Sequence, residues 1–460
     1  MQPLRSSFRR SPFKFILLAA ALAMASSSAA RAEALLLLEA DSGKVLEAQN
    51  ATVPWHPASL SKMMTAYVTL KAVKDGKITL DTLLTVSPTA ASQSPSKMGF
   101  RPGIQVTVDN ALKMMLVKSA NDMAVVLAEG VGGSMEGFSA LMNGAARGLG
   151  MTQTNYVNPN GLPDDAQITS ARDLAILARA IIRDLPEYEY FVHIPSIRYG
   201  RRVTQNFNKL IGRYPGADGF KTGFICASGY NLVASATRNG RRLVAVVLGA
   251  PSGKARAMRA MQMLDRGFNS NSLSWMKPSL GTVESLAPAD VPPPDLHDEV
   301  CSGKRHAPAS DEDEDTVASS SSASSTLFAG LQPPALKPAD MLAAAPTVSE
   351  PVVVYTGPTK SGASLIAAVA ADTDSQMPPK RRGKARKTVV VAVKKNDGTK
   401  EAKVGGKTEI KPAAVRHANA KPEGGAKGDK AAAADAPSKP AKPKAVAKPK
   451  SDTKPPKSNS

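Results

Sequence analysis

The sequence predicts an α+β domain over residues 33–275, an antiparallel sheet built from both chain ends and flanked by helices, followed by a long disordered C-terminal tail. Three observations carry that expectation. The apolar run Ala34–Glu39 opens the segment and strand-like text over 194–249 closes it, with helical apolar patterns between them. Beyond Trp275 the patterning dissolves: residues 287–345 are rich in Pro, Ala and Ser, and aromatics almost vanish after Phe328. Such text has too little apolar surface to offset chain entropy. The charge is also uneven, because residues 376–460 hold 23 Lys/Arg against 7 Asp/Glu in a chain whose net charge is +20. The expected division is therefore a signal at 1–32, a folded domain at 33–275, a Pro/Ala/Ser-rich linker at 276–375 and a Lys/Ala/Pro-rich basic tail at 376–460.

Arg5, Arg9, Arg10 and Lys14 precede an apolar run over 15–22, and Ala30-Arg31-Ala32 supplies an A-x-A cleavage site that leaves Glu33 as the mature N-terminus. The run is too short to span a bilayer comfortably. No later stretch reads as a transmembrane helix, so the expectation is an exported protein of the periplasm or cell envelope. Export would expose Cys226 and Cys301 to an oxidising compartment. One bridge is conceivable, but Cys301 falls in linker-like text, so the expectation is two unpaired thiols.

Ala34–Glu39 and residues 45–48 read as strands joined through Asp41-Ser42-Gly43-Lys44. Pro54 and Pro57 break the chain before a helix over 59–73, whose buried side is Met63, Met64, Tyr67, Val68 and Leu70. Residues 76–108 read as irregular, with extended pieces near 78–80 and 105–108. Helical patterns follow over 109–117, from Met123 to the glycines at 130–133, and over 135–149. Asn158-Pro159-Asn160-Gly161 signals a turn, and Thr169-Ser170-Ala171-Arg172-Asp173 caps a helix through Ile182. The strand-like text turns at Pro215-Gly216 and Asn239-Gly240, and a last helix covers 254–268. Val352-Val353-Val354-Tyr355 and residues 388–393 read as isolated strands without partners.

Ser59 and Lys62, three apart at the start of a helix, share one face. A serine hydroxyl is a weak nucleophile until a base activates it, and a lysine amine so placed can take its proton. The spacing alone recurs at Ser11/Lys14, Ser94/Lys97, Ser274/Lys277 and Ser451/Lys454. Two further motifs follow in order: Ser119-Ala120-Asn121, and Lys221-Thr222-Gly223, which occurs once and suits a strand end. Gly223 lets a substrate backbone lie against that strand as one more. The bland alternatives are helix capping for Ser119 and Asn121 and a surface charge for Arg256. The histidines form no cluster and no metal-ligand spacing occurs, so neither metal nor cofactor is expected. His56 reads as packing at the helix entry.

The ordered set Ser59-x-x-Lys62, Ser119-x-Asn121 and Lys221-Thr222-Gly223 resembles the S-x-x-K, S-x-N and K-T-G motifs of penicillin-binding proteins and serine β-lactamases. More narrowly, residues 57–65, 170–173 and 229–236 are similar to low-molecular-mass penicillin-binding proteins that act as D-alanyl-D-alanine carboxypeptidases. The resemblance covers residues 33–275 and implies a β-lactamase/DD-peptidase-like domain. It makes Ser59 the nucleophile and Lys62 its base, which requires a neutral amine, helped by the like charge of Lys221. Ser119 would relay a proton to the leaving nitrogen, with Asn121 holding Lys62 and the substrate amide. Lys221 and Thr222 would bind the terminal carboxylate, with Arg256 anchoring it. Backbone N–H groups of Ser59 and Phe224 would form the oxyanion hole. The implied substrate is the peptidoglycan stem peptide, and β-lactams are the implied covalent inhibitors. Phe224 departs from the family, where a polar residue is often found. Neither the β-rich second domain nor the amphipathic C-terminal anchor common in that family is legible here.

The rival readings are a DD-endopeptidase or β-lactamase on the same fold, and a non-catalytic envelope-binding protein acting through its tail. Asp164 and Asp165 are the only acids of residues 155–168 available for a deacylating role. The basic tail suits anionic envelope polymers, and export argues against nucleic acid.

Overall fold

The computed structural model describes residues 33–269, 278–302, 337–347 and 349–375. The export signal, residues 388–393 and the basic tail lie outside the described residues. Strands β1 (Ala34–Glu39) and β2 (Val45–Gln49) pair antiparallel, and after a 3-10 turn at Ala58–Leu60 helix α1 runs Ser61–Lys74. Then come β3 (Leu83–Thr85), the short α2 (Pro88–Ser92), β4 (Gln105–Thr107), α3 (Val108–Val117), α4 (Asn121–Gly132), α5 (Met135–Gly148) and α6 (Ala171–Asp184). The chain returns through β5 (Ser196–Tyr199), β6 (Arg202–Gln205), β7 (Ala217–Ile225), β8 (Gly229–Arg238) and β9 (Arg241–Ala250) to α7 (Gly253–Asn269). The expected extended piece near 78–80 is displaced: the strand is β3, paired antiparallel with β4.

The five-stranded sheet has the order β2-β1-β9-β8-β7, so both ends of the segment do build it. β1 and β9 are buried on both faces, which is why they read as continuous apolar runs rather than alternating ones. Leu36, Leu38, Val244, Val246 and Leu248 face the core shared with α1, α3, α4 and α6. Leu35, Leu37, Leu243, Ala245 and Val247 face Met261, Met263 and Leu264 of α7. The helices start where short polar side chains accept N–H groups, Thr107 from Asn110, Ser134 from Gly137 and Ser170 from Asp173. β7 forms one edge of the sheet and carries Lys221, Thr222 and Gly223.

Residues past 275 depart from the linker expectation. Val45 and Val283 exchange backbone bonds with Gly281 and Gly43, at 3.0 and 2.9 Å. Val283 and Leu296 are buried, and a short helix α8 follows at His297–Val300. β10 (Val352–Val353) pairs parallel with β5, and Val354 is buried in the main core. That strand has a partner after all. The text reads as linker because Val283 and Leu296 are isolated apolar residues buried in a core built by others, and because the partner of β10, β5, is far away in sequence. The unpaired-thiol expectation is also overturned: Cys226 and Cys301 form a disulfide, because residues 278–302 fold back onto the end of β7.

Candidate active site

Ser59 lies in the 3-10 turn entering α1, half-buried at the base of a cleft of about 450 Å³. The turn is reached through Ala58 at φ 48°, and Ser119 between α3 and α4 has φ 61°. Non-glycine residues seldom occupy this left-handed region, and such strain gathers at functional sites.

One helical turn on, the buried Lys62 brings Nζ to 2.9 Å from Ser59 Oγ, 2.7 Å from Asn121 Oδ1 and 2.6 Å from the Asn160 carbonyl oxygen. A neutral amine has two N–H donors and one lone pair. Amide and carbonyl oxygens can only accept. Of these three partners, only the Ser59 hydroxyl also has a proton to give, so in the neutral amine that a base role requires, bonds to Asn121 and Asn160 would leave the lone pair for Ser59. Asn121 is oriented in turn by donating Nδ2 to the carbonyls of Ser94 and Pro95, at 2.9 and 3.2 Å.

Lys221 is buried on the other side of the cleft, its Nζ donating to Ser119 Oγ at 3.0 Å and to the Thr222 carbonyl at 2.9 Å. Ser59, Ser119, Asn121 and Phe224 line the cleft itself. Arg256 is placed differently. It rises from α7, is buried, lies with its guanidinium 5.5 Å from the Tyr230 ring centre, and has Nη1 3.4 Å from the Gly223 carbonyl and 3.5 Å from that of Asn231. It therefore supports the strand that bears the third motif, and, like Lys221, Thr222 and Gly223, it is not among the residues that line the cleft. Phe224 packs on Tyr230, ring centres 4.3 Å apart.

Gly223 has a second reason for being glycine. A Cβ there would stand 3.0 Å from both the Pro57 oxygen and the Ser59 nitrogen, so β7 approaches the Ser59 turn this closely only without a side chain. His56, half-buried ahead of the Ser59 turn, has its Nδ1 3.1 Å from the Gln167 carbonyl. Asp164 and Asp165 are exposed and do not line the cleft.

Sequence reasoning missed Asn160 as a lysine partner, although the turn text around it was plain. Thr65 Oγ1 donates to the Pro159 carbonyl at 2.6 Å, and Gln167 Nε2 donates to Ser61 Oγ at 2.9 Å, clasping this loop onto α1. It also missed Lys118 and Asp122. Asp122 accepts from the backbone of Met98 and Gly99 at 3.0 and 2.9 Å, and burial raises its pKa above the usual carboxylate value. Lys118, buried beside Ser96 on the cleft rim, is pushed down to about 8, chiefly by burial and also by Arg202.

Residues 21–252 match the D-alanyl-D-alanine carboxypeptidase family. The chain belongs to that family. It is 41% identical over 245 residues to D-alanyl-D-alanine carboxypeptidase DacC of Escherichia coli, covering 52% of this chain and 61% of that protein. It is 36% identical over 252 residues to DacF of Bacillus subtilis, covering 53% of this chain and 64% of that one. Penicillin binding protein 5 from Haemophilus influenzae superposes with a TM-score of 0.50 at 38% identity, covering 51% of this chain and 70% of that one. The chain thus spans about three fifths of the length of these curated relatives. The family match stops at residue 252, before α7 and before the 278–302 segment that returns to the cleft.

Proposed function

We propose that this chain is a serine D-Ala-D-Ala carboxypeptidase that removes the terminal D-alanine from peptidoglycan stem peptides through an acyl-enzyme on Ser59, with neither metal nor cofactor. The observation that carries the reading is the Lys62 amine, 2.9 Å from Ser59 Oγ and held from behind by Asn121 and Asn160.

The substrate joins the free edge of β7 as an added strand. Lys221 and Thr222 receive its terminal carboxylate, with Arg256 holding the Gly223 and Asn231 carbonyls and so the line of the strand. As Ser59 Oγ attacks the scissile carbonyl carbon, its proton passes to Lys62 Nζ. The oxyanion forms against the backbone N–H groups of Ser59 and Phe224. Ser119, hydrogen-bonded to Lys221, relays a proton to the departing nitrogen, the C–N bond breaks and D-alanine leaves. Water then gives its proton to Lys62 and its oxygen to the ester carbon, and Ser59 regains its hydrogen. A β-lactam acylates the same oxygen. The exposure of Asp164 and Asp165 favours this reading over a β-lactamase that deacylates through an acid of that loop.

The Cys226–Cys301 disulfide supports export to an oxidising compartment after cleavage behind Ala32. The basic stretch at 376–460 suits anionic envelope polymers, bound in a salt-sensitive way. The test of the enzyme is D-alanine release from a pentapeptide ending in D-Ala-D-Ala, together with covalent labelling by a fluorescent penicillin. Both are expected in the native chain and absent in Ser59→Ala. Release that persists in the variant removes Ser59 as the nucleophile, and labelling without release leaves the fold but changes the substrate.

A further inference from the structure

The cleft has a wall that the catalytic motifs do not supply. Cys226, in the turn after β7, lines it together with Ile225 and Ala227, and so does His297 of α8. Residues 295–301 are fastened to that turn twice: Leu296 N–H donates to the Ala227 carbonyl at 2.9 Å, and Cys301 is bonded to Cys226. Leu296 itself is buried, while the His297 side chain keeps 60% of its surface exposed. The segment is thus anchored by one neighbour and presents the other to the cleft.

We propose that His297 is a specificity-determining residue, delivered to the substrate cleft by the disulfide-fastened segment 295–301. The inference rests on the carboxypeptidase reading, which sets the direction of the substrate along β7. With the terminal carboxylate at Lys221 and Thr222 and the scissile carbonyl at Ser59 and Phe224, the residue preceding the D-alanine pair runs past Ile225, Cys226 and Ala227. There it meets Phe207, Phe224 and Ile225 as apolar surface, with His297 as a polar group at the rim. An apolar wall ending in an imidazole suits a side chain with a methylene stem and a polar end, because the imidazole can donate or accept at that end. Disulfide closure keeps the ring there without requiring the segment to have a core of its own.

The experiment compares two substrates on the full chain: a pentapeptide carrying lysine before D-Ala-D-Ala, and the same pentapeptide carrying alanine there. The readout is the ratio of their kcat/KM values in the native protein, His297→Ala, Cys301→Ser and the double variant. His297→Ala is expected to lower the preference for lysine roughly fivefold to tenfold, mainly through KM, as loss of one polar contact implies. Cys301→Ser should give a loss of similar direction, and the double variant no more than the larger single effect, because both changes remove one device. Penicillin labelling of each variant reports that the site is folded. A ratio unchanged in His297→Ala, or losses that simply multiply in the double variant, overturns the proposal while leaving the enzyme reading intact. A native chain that neither labels nor releases D-alanine overturns both.

Discussion

In the proposed reaction the chemistry turns on Lys62, and its surroundings make separable demands. Replacing Lys62 by Met removes the proton acceptor and leaves Asn121 Oδ1 and the Asn160 carbonyl without their amine. The acylation rate by penicillin should fall about 10²–10⁴-fold, the usual worth of a placed general base. Asn121→Ala should cost less. It frees one side of the amine and loosens the loop at Ser94 and Pro95, and stopped-flow labelling should show a slower but measurable burst. Lys118 offers a pH test with a definite sign. Its pKa falls from 10.5 to about 8 on folding, so between those values the unfolded chain binds more protons than the folded one. Its contribution to stability is present above the unfolded value and is lost as pH falls through about 8. The stability of the native protein relative to Lys118→Met should therefore rise between pH 7.5 and 10, read from urea midpoints at each pH. A flat difference would show that the amine is not desolvated.

At the scale of elements, the turn that carries Ser59 is pressed between the 158–161 loop and β7, and two glycines set how closely. At Gly161, φ is 79° and a Cβ would lie 1.8 Å from the Ala58 oxygen, whereas at Gly223 the nearest atoms would be 3.0 Å away. Gly161→Ala should lower the melting temperature by several degrees and abolish penicillin labelling, since backbone must move on backbone. Gly223→Ala should leave melting almost unchanged and slow acylation about tenfold or more, because a shift of a few tenths of an ångström falls on the Ser59 N–H. Equal melting temperatures for the two variants would contradict this ranking. The same elements show what was legible. The three motifs, the cap at Ser170 and the runs of β1 and β9 announce themselves through spacing and patterning. Asn160 acts through a main-chain carbonyl, which no side-chain pattern encodes. Arg256 was expected from the resemblance as an anchor for the terminal carboxylate, with a surface charge as the alternative. Its burial against the Gly223 and Asn231 carbonyls was not legible, because helix position does not reveal which side of a sheet edge a long side chain reaches.

For the whole molecule, the boundary expected at 275 falls inside the folded unit. Val283, Leu296 and Val354 are almost fully buried, Tyr355 N–H donates to Asn110 Oδ1 at 3.2 Å, and Cys301 closes a 75-residue separation to Cys226. Val283 and Leu296 have no apolar neighbours in sequence dense enough to mark a core, and the run at 352–355 reads as a strand with no partner strand near it, so composition classed the region as linker. The energetics follow from what they touch. Burial of each such aliphatic side chain stabilises by about 1.5–3 kcal/mol, and the disulfide contributes about 2–4 kcal/mol by restricting the unfolded chain. The ordering of the segment offsets part of this. A net loss of a few kcal/mol, at about 2–4 °C per kcal/mol for a domain of this size, gives a drop on the order of 10 °C for residues 33–275 against residues 33–375. The longer chain should also lose several degrees on reduction with dithiothreitol, whereas the shorter one, with Cys226 alone, should not respond. Calorimetry of both chains, oxidised and reduced, checks the two effects separately. Equal melting of the two oxidised chains would mean that residues 278–375 lie on the domain without supporting it, and that the cleft wall they provide is held by the disulfide alone.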